Sequence, residues 1–413
     1  MWVWVLVLGA GGVLLIIAFF PAGGGWEFVR TEVARLREEA ESRKFSRTVF
    51  SGKTTPGNAW DDYNVAMNDV LASPPMLAQF SMGYATEADA AIARKSVAAY
   101  GVTLDRFRSG VRREDGQYPW PPGGTRLDHP NTIASRKLAN LVAAQAKILS
   151  DGGHAREAMD LALDMTVFAR DLAANGTVYN GLVGAAVYSQ AVDSLQITML
   201  SGKLTPEDLK DLAAMLESVE RDMPDLGAAF ANETLLDETV MLASSTRGLS
   251  SGDWLSLMAA GGWRYGLSTQ RVAEDYVRTA VKRLEREQKL GEMEFAAAIK
   301  EAEAIEAEAV ASSNPMVRDS ASNIARTLTV RREVAAKLRL LRAAALWGAS
   351  GKAPKLADPL GTDLKVKEED GKIRIWSVGR DGNDAGGNGA WNPDSSKPGD
   401  DIVLEFSWPH GSR

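Results

Sequence analysis

The sequence predicts a mainly α protein: an N-terminal transmembrane helix, a stacked α-hairpin domain and a small C-terminal antiparallel β unit. Three observations predict it. Residues 2–20 carry no charged or strongly polar side chain. From Trp26 to about Ala349, apolar residues recur at steps of three and four, and alternating runs are almost missing. Near the C-terminus, Lys372-Ile373-Arg374-Ile375-Trp376 alternates polar with apolar directly after Asp370-Gly371, a favoured hairpin turn. The expected divisions are an anchor over 1–25, a stalk helix and linker over 26–54, the α-hairpin domain over 55–314, a long connecting helix over 315–350 and the β tail over 351–413.

The anchor comes first. A helix over Trp2–Phe20 rises about 28 Å, close to the hydrocarbon thickness of a bilayer. Trp2 and Trp4 sit where interfacial aromatics belong, and Pro21 with Gly23-Gly24-Gly25 marks the exit. The competing reading is a cleaved signal peptide, with Ala22 and Gly24 as small residues near a cleavage site. The long apolar run and the missing basic n-region favour retention. Arg30, Arg35, Arg37, Arg43 and Lys44 all follow the span, which by charge alone would leave the following domain in the cytoplasm. Residues 26–44, laced with such charges, read as a helical stalk continuing the span.

The helical middle reads as successive amphipathic segments. Trp60, Tyr63, Ala66 and Val70 form an apolar stripe, and a longer helix is expected from Thr86 to Arg112. Tyr118-Pro119-Trp120-Pro121-Pro122-Gly123-Gly124 stops helix and makes a loop or small lid. Segments 130–150, 154–174 and 178–201 are separated by Asp151-Gly152-Gly153 and Asn175-Gly176, so short that neighbours must run antiparallel. Gly153-His154-Ala155-Arg156-Glu157-Ala158-Met159-Asp160-Leu161-Ala162 is similar to the middle of a tetratricopeptide repeat, but no 34-residue signature recurs. Thr205-Pro206-Glu207-Asp208 opens a helix with a Thr cap, Pro at the first position and acids in the first turn. Further helices are expected at about 230–246, 268–288, 291–311 and 316–348.

Composition narrows the chemistry. A formal charge of -7 argues against general nucleic-acid binding, which draws on a surplus of Lys and Arg. The absence of cysteine removes disulfides, thiol nucleophiles and thiolate metal sites. His129, His154 and His410 are far apart, with no His/carboxylate cluster at helical spacing. Gly248-Leu249-Ser250-Ser251-Gly252 matches the nucleophile-elbow pattern, yet a helix and not a strand precedes it. A serine hydrolase using Ser250 is therefore the alternative to a non-enzymatic protein. Gly52-Lys53-Thr54 lacks the leading glycine of a phosphate loop and reads as a turn. Glu301, Glu303, Glu306 and Glu308 read as a solvated helix face.

The tail is the most informative stretch. It holds Asp358-Pro359-Leu360-Gly361, then Trp376-Ser377-Val378-Gly379, then Asp381-Gly382 and finally Asp401-Ile402. These residues resemble the C-terminal end of the major pseudopilin of type II secretion systems. The resemblance implies a small sheet stapled by calcium, with Asp381 and Asp401 as side-chain ligands, Asp384 and Asp400 as further ligands, and main-chain carbonyls completing the shell. Strands are expected over 362–367, 372–377 and 402–406. A plain Gly/Asn turn, its Asp side chains bonded to local amides, explains the same loop. The sequence departs from an EF-hand, with Ala385 at a ligand position and Asn392 at the twelfth. It departs from the pilin pattern too: no processing site precedes Trp2, and Glu27 comes after the span.

The same resemblance places the domain outside the cytoplasm, against the charge bias. Together with Asn58-Ala59-Trp60-Asp61-Asp62-Tyr63, the whole arrangement looks like a group of uncharacterised membrane-anchored proteins of high-GC bacteria. The resulting expectation is a single-pass scaffold or interaction protein of the bacterial envelope, near a secretion or pilus-like system. It would have an unknown protein partner and no nucleic acid.

Overall fold

A computed structural model of the chain describes residues 25–71, 87–118, 132–247, 269–314, 317–318, 323–393 and 399–407. The expected anchor at 2–20, the Pro-rich loop from Pro119, the Ser250 motif, His129, His410 and the expected helix start at Thr86 lie outside the described residues. Among the described residues, no helix is long and apolar enough to cross a membrane.

The chain is mainly helical, with a small mixed sheet at its end. Helix α1 is Gly25–Ser42; a short strand β1, Thr55–Asn58, leads into α2, Ala59–Leu71. Helices α3, Glu87–Ala99, and α4, Gly101–Val111, precede β2, Arg113–Asp115. Then come α5, Thr132–Asp151, α6, Ala155–Ala173, α7, Val178–Leu200, and α8, Pro206–Asp222. The helical series ends with α9, Leu226–Arg247, α10, Thr269–Glu287, α11, Phe295–Val310, and α12, Ile324–Ser350. The tail contributes β3, Lys365–Glu369, β4, Lys372–Ser377, β5, Gly389–Ala390, and β6, Asp401–Phe406.

Helices α6 and α7 pack most closely, joined by the short turn at Asn175-Gly176. Gly184 on α7 explains the approach, because a Cβ there would stand 2.7 Å from the Ala169 carbonyl oxygen and 2.9 Å from the Ala173 side chain. The start of α8 is as expected: the Thr205 hydroxyl accepts from the Asp208 amide at 3.1 Å, and the Asp208 carboxylate accepts from the Thr205 amide at 2.9 Å. The helix expected from Thr86 to Arg112 is two, broken at Tyr100-Gly101. The interval expected to be almost entirely helical also holds β1 and β2, a short parallel pair.

Two apolar cores result. The larger gathers α2–α8, with Trp60, Tyr63, Phe107 and Phe168 among its largest side chains, and reaches through α12 to the tail. The smaller joins α1, α9, α10, α11 and the first turns of α12. Here the expectation of a stalk is corrected. Val29, Val33, Leu36 and Ala40 fall on one face of α1 and are buried against α9 and α10. The pairs Glu32–Arg35 and Arg35–Glu39 flank that stripe. Charged residues are the conspicuous ones in this segment, but the stripe at i, i+4, i+7 and i+11 decides the packing. Arg43 then locks the helix end, donating to the Asn232 side chain at 2.8 Å.

After α1 the chain crosses the larger core as an irregular strap tied to buried aspartates. The Ser46 and Thr48 hydroxyls donate to Asp222 at 2.6 and 2.5 Å, and Ser51 donates to Asp164 at 2.6 Å. Between them, Arg47 grips Asp171 through Nη2 at 2.8 Å and Nε at 3.1 Å. Asp171 also accepts from Arg170 at 2.6 Å and from the Tyr63 hydroxyl at 3.1 Å, and it is fully buried.

The tail sheet has the order β3-β4-β6-β5. The hairpin turns at Asp370-Gly371, both with positive φ, as a two-residue type I′ turn requires. Strand β4 spans the expected 372–377, while β3 runs later than expected, over 365–369. The expectation of a purely antiparallel unit is corrected as well, since β5 pairs with β6 in parallel. Only glycine fits at 389, where a Cβ would come within 2.0 Å of the Asp401 carbonyl oxygen. Ile373, Ile375, Ile402 and Leu404 face the core, and Arg374 pairs with Glu405 at 2.6 Å on the outer face. The sheet is fixed to the helical body by Arg380–Glu333, by Lys337–Asn392 and by the Trp391 indole donating to Asp193 at 2.6 Å.

Replacing Asp171 with Ala would leave Arg47 and Arg170 buried without their shared anion. A loss of about 3–5 kcal/mol is expected, as when one partner of a buried ion pair is removed. Urea denaturation of wild type and Asp171→Ala measures it, and an unchanged midpoint would count against the strap as a stabilising tie.

Candidate functional site

The tail aspartates gather at one end of the sheet, and most of them face backbone or side-chain donors. Asp401 is fully buried, and its carboxylate accepts from the Gly387 amide at 2.8 Å and the Ala385 amide at 3.3 Å. Burial raises its pKa against the pull of those amides. Asp384 accepts from the Trp376 indole and the Gly386 amide, each at 2.9 Å, which lowers its pKa. Asp381 closes a local turn on the Asn383 amide at 3.0 Å, and Asp400 is half-buried beside β6. Among the described residues, no three His, Cys, Asp or Glu side chains converge where a metal ion could be held.

The motif residue whose role the sequence did not reveal is Asp358. Its Oδ1 accepts from the Ser377 hydroxyl at 2.6 Å and the Leu360 amide at 3.0 Å, and its Oδ2 from the Val378 amide at 2.9 Å. The turn at 358–361 and the strand end at 376–379 are therefore one hydrogen-bonded unit. Of the other singled-out residues, His154 is exposed beside Glu157, and Gly52 turns with φ 75°. On α11, Glu303 and Glu308 are exposed as expected, while Glu301 and Glu306 are half-buried. Glu301 and Glu308 both hold Arg286 at 2.6 Å, and Glu306 accepts from the Ala325 amide at 3.0 Å.

A second polar site has no counterpart among the sequence motifs. A cavity of about 230 Å³ opens between α7, α9, α10 and the start of α12. Its lining combines Glu233 and Asp237 from α9 and Arg283 and Glu287 from α10 with apolar Val178, Leu182, Phe230 and Ile324 and polar Tyr179 and Asn323. Glu233 caps α7, accepting from the Val178 amide at 3.1 Å. Asp237 accepts from the Tyr276 hydroxyl at 2.8 Å, and Glu287 lies 3.2 Å from Arg283. Burial raises the pKa of both Asp237 and Glu287, opposed by the Arg283 charge.

Next along α9, Glu238 is fully buried and neither carboxylate oxygen has a hydrogen-bond partner. Burial first, then the neighbouring Glu32 charge, pushes its pKa up to about 8, against Arg35 and Arg283. The local signal is present in the sequence: Glu233 and Asp237 are one turn apart, and Glu238 falls in phase with buried Ala231 and Leu235.

No family model matches the chain, and neither does any curated protein or solved structure.

Glu238 gives a pH dependence with a definite sign. Its pKa is raised from the usual 4.5 to about 8, so the folded state holds a proton that the unfolded chain has released. Its contribution to stability is complete below about pH 4.5, declines as pH rises and is exhausted above about pH 8, amounting to a few kcal/mol at most. Glu238→Gln mimics the protonated form. The variant should therefore gain on wild type as pH rises through this window, and denaturation midpoints taken at both ends measure the difference. Parallel curves for the two proteins would show Glu238 to be ionised in the fold.

Proposed function

We propose that the chain is a membrane-tethered scaffold or interaction protein of the bacterial envelope, held by Trp2–Phe20 with its helical domain outside the cytoplasm and working near a secretion or pilus-like system. The observation that carries the reading is a set of large apolar side chains left in solvent on neighbouring helices. Val65 on α2, Ile92 on α3, Val102 on α4 and Ile133 on α5 are 44, 41, 73 and 65 % exposed. These helices pack on one another, α2 with α4 and α5, and α3 with α5. Where such side chains join into one patch they mark sites where proteins meet, and grooves between α-hairpins suit the gripping of peptides or helices. The tail, tied to α12 and α7, is a fixed part of that body.

The test is affinity capture from detergent-solubilised membranes with wild type and the double variant Val102→Asp/Ile133→Asp. Wild type should retain a defined set of chains that the variant loses, with both proteins melting alike because the positions are exposed. Equal recovery by both, or none by either, overturns the reading.

A structural calcium ion on the tail belongs to the same proposal, with Asp381 and Asp401 as ligands and Asp384 and Asp400 beside them. Its support is proximity: Gly399 lies against Asp381, a Cβ there standing 3.4 Å from Oδ2, and the Asp384 and Asp401 carboxylates both accept from amides of the 385–387 segment. Calcium should slow proteolysis of the loop between β4 and β6 relative to chelator. Identical protection in both conditions leaves the amide-bonded loop as the whole account.

A further inference from the structure

We infer that Lys337 of α12 and Asn392 of the tail become joined by an isopeptide bond, formed within the folded chain with release of ammonia and with Asp193 of α7 as proton carrier. The inference stands apart from the scaffold reading, because the exposed apolar side chains on α2–α5 play no part in it.

Three observations carry it. The first is the nucleophile. Lys337 is buried, and its Nζ donates to Asn392 Oδ1 and not to a carboxylate. Burial lowers its pKa, opposed by the charges of Asp193 and of Glu333, the latter held by Arg380 at 3.1 Å. A lysine taken out of water gives up its proton more readily, and the free amine is the nucleophilic form.

The second is the electrophile. The amine touches an oxygen bonded directly to Asn392 Cγ, the carbon it has to attack. Holding the two groups in contact replaces a bimolecular encounter by an intramolecular one. Pro393 follows and has no N–H, so backbone attack on the same carbon, which would end in a succinimide, is closed. Asn392 lies at the surface, which gives ammonia a direct exit.

The third is the proton carrier. Asp193 is buried, and its Oδ1 lies 3.8 Å from Lys337 Nζ while accepting from the Trp391 indole at 2.6 Å. That bond fixes the carboxylate beside Asn392, the next residue. The Trp391 ring faces the same amine, its centroid 5.2 Å from Nζ.

The Lys337 ammonium gives one proton to the Asp193 carboxylate, and the freed lone pair forms a bond to Asn392 Cγ. Asp193 hands that proton to the Asn392 amide nitrogen and takes the surplus proton from the lysine nitrogen. The carbonyl re-forms, the bond from Cγ to the old amide nitrogen breaks with its electron pair, and ammonia leaves, collecting the last proton from Asp193. Nothing is oxidised or reduced. The product ties the tail to α12 across 55 positions of sequence, in a chain with no cysteine to do so by a disulfide.

Denaturing mass spectrometry of the full purified chain tests this. Wild type should be lighter than its sequence by one ammonia, and tryptic digestion should release a branched peptide in which residues 337 and 392 are linked. Lys337→Met, Asn392→Ala and Asp193→Asn, the last keeping an oxygen for Trp391, should each show the full sequence mass and no branched peptide. The wild-type reading stands whether or not a variant folds. An unmodified wild-type mass, or ammonia loss persisting in any of the three variants, would overturn the inference.

Discussion

One buried carboxylate organises the larger core. Asp171 has no exposure to solvent, and three donors from three parts of the chain converge on it: Arg47 from the strap, Arg170 beside it and Tyr63 from α2. An ion taken out of water is stable only when its lone pairs are used and its charge is answered, so the positions of the strap and of α2 are not independent. Arg47 also donates to the carbonyls of Gly110 and Arg113, which brings the end of α4 to the same place. The aromatic group of Tyr63, Phe107 and Phe168 packs around this point, each ring within 6.2 Å of the next.

The two cores treat buried charge differently. In the larger, Asp62, Asp164, Asp171 and Asp222 are each matched by hydroxyl or guanidinium donors, and the matches join segments distant in sequence. In the smaller, Glu238 is unmatched, and the raised pKa values of Asp237 and Glu287 place burial ahead of the charges that favour ionisation. A satisfied polar network rigidifies its surroundings, and an unsatisfied one stores free energy that a proton or a ligand can release. The contrast is one of degree, since burial also pushes the pKa of Asp164 in the larger core up to about 6 against the Ser51 hydroxyl and nearby arginines.

Most helices are legible in the sequence because their signals are local. Thr205-Pro206-Glu207-Asp208 states a helix start in four residues, and Asp370-Gly371 states a hairpin in two. The packing of α1 is harder to see although its stripe is present, because its charges are more conspicuous and an apolar span directly before it invites reading the two as one rod. The strap is not legible at all: Arg47 and Asp171 are 124 residues apart, and nothing near either names the other. The cavity requires four elements to be placed before its acids become one set. The tail motif is legible as a motif, yet the work of Asp358 emerges only when Ser377 and Val378 are seen to bond to it.

Helix α1 has a history as well as a place. It leaves the ribosome first among the described elements, but α9 and α10, against which its apolar face lies, begin about 200 residues later. Contacts of such separation form late, and apolar surface awaiting them is open to aggregation. Synthesis at about 5–20 residues per second leaves that face uncovered for on the order of ten seconds or more. The nascent chain therefore carries a sticky amphipathic helix through most of its own translation, and a holdase or a lipid surface that shelters Val29, Val33 and Leu36 in that interval would govern the yield of folded protein.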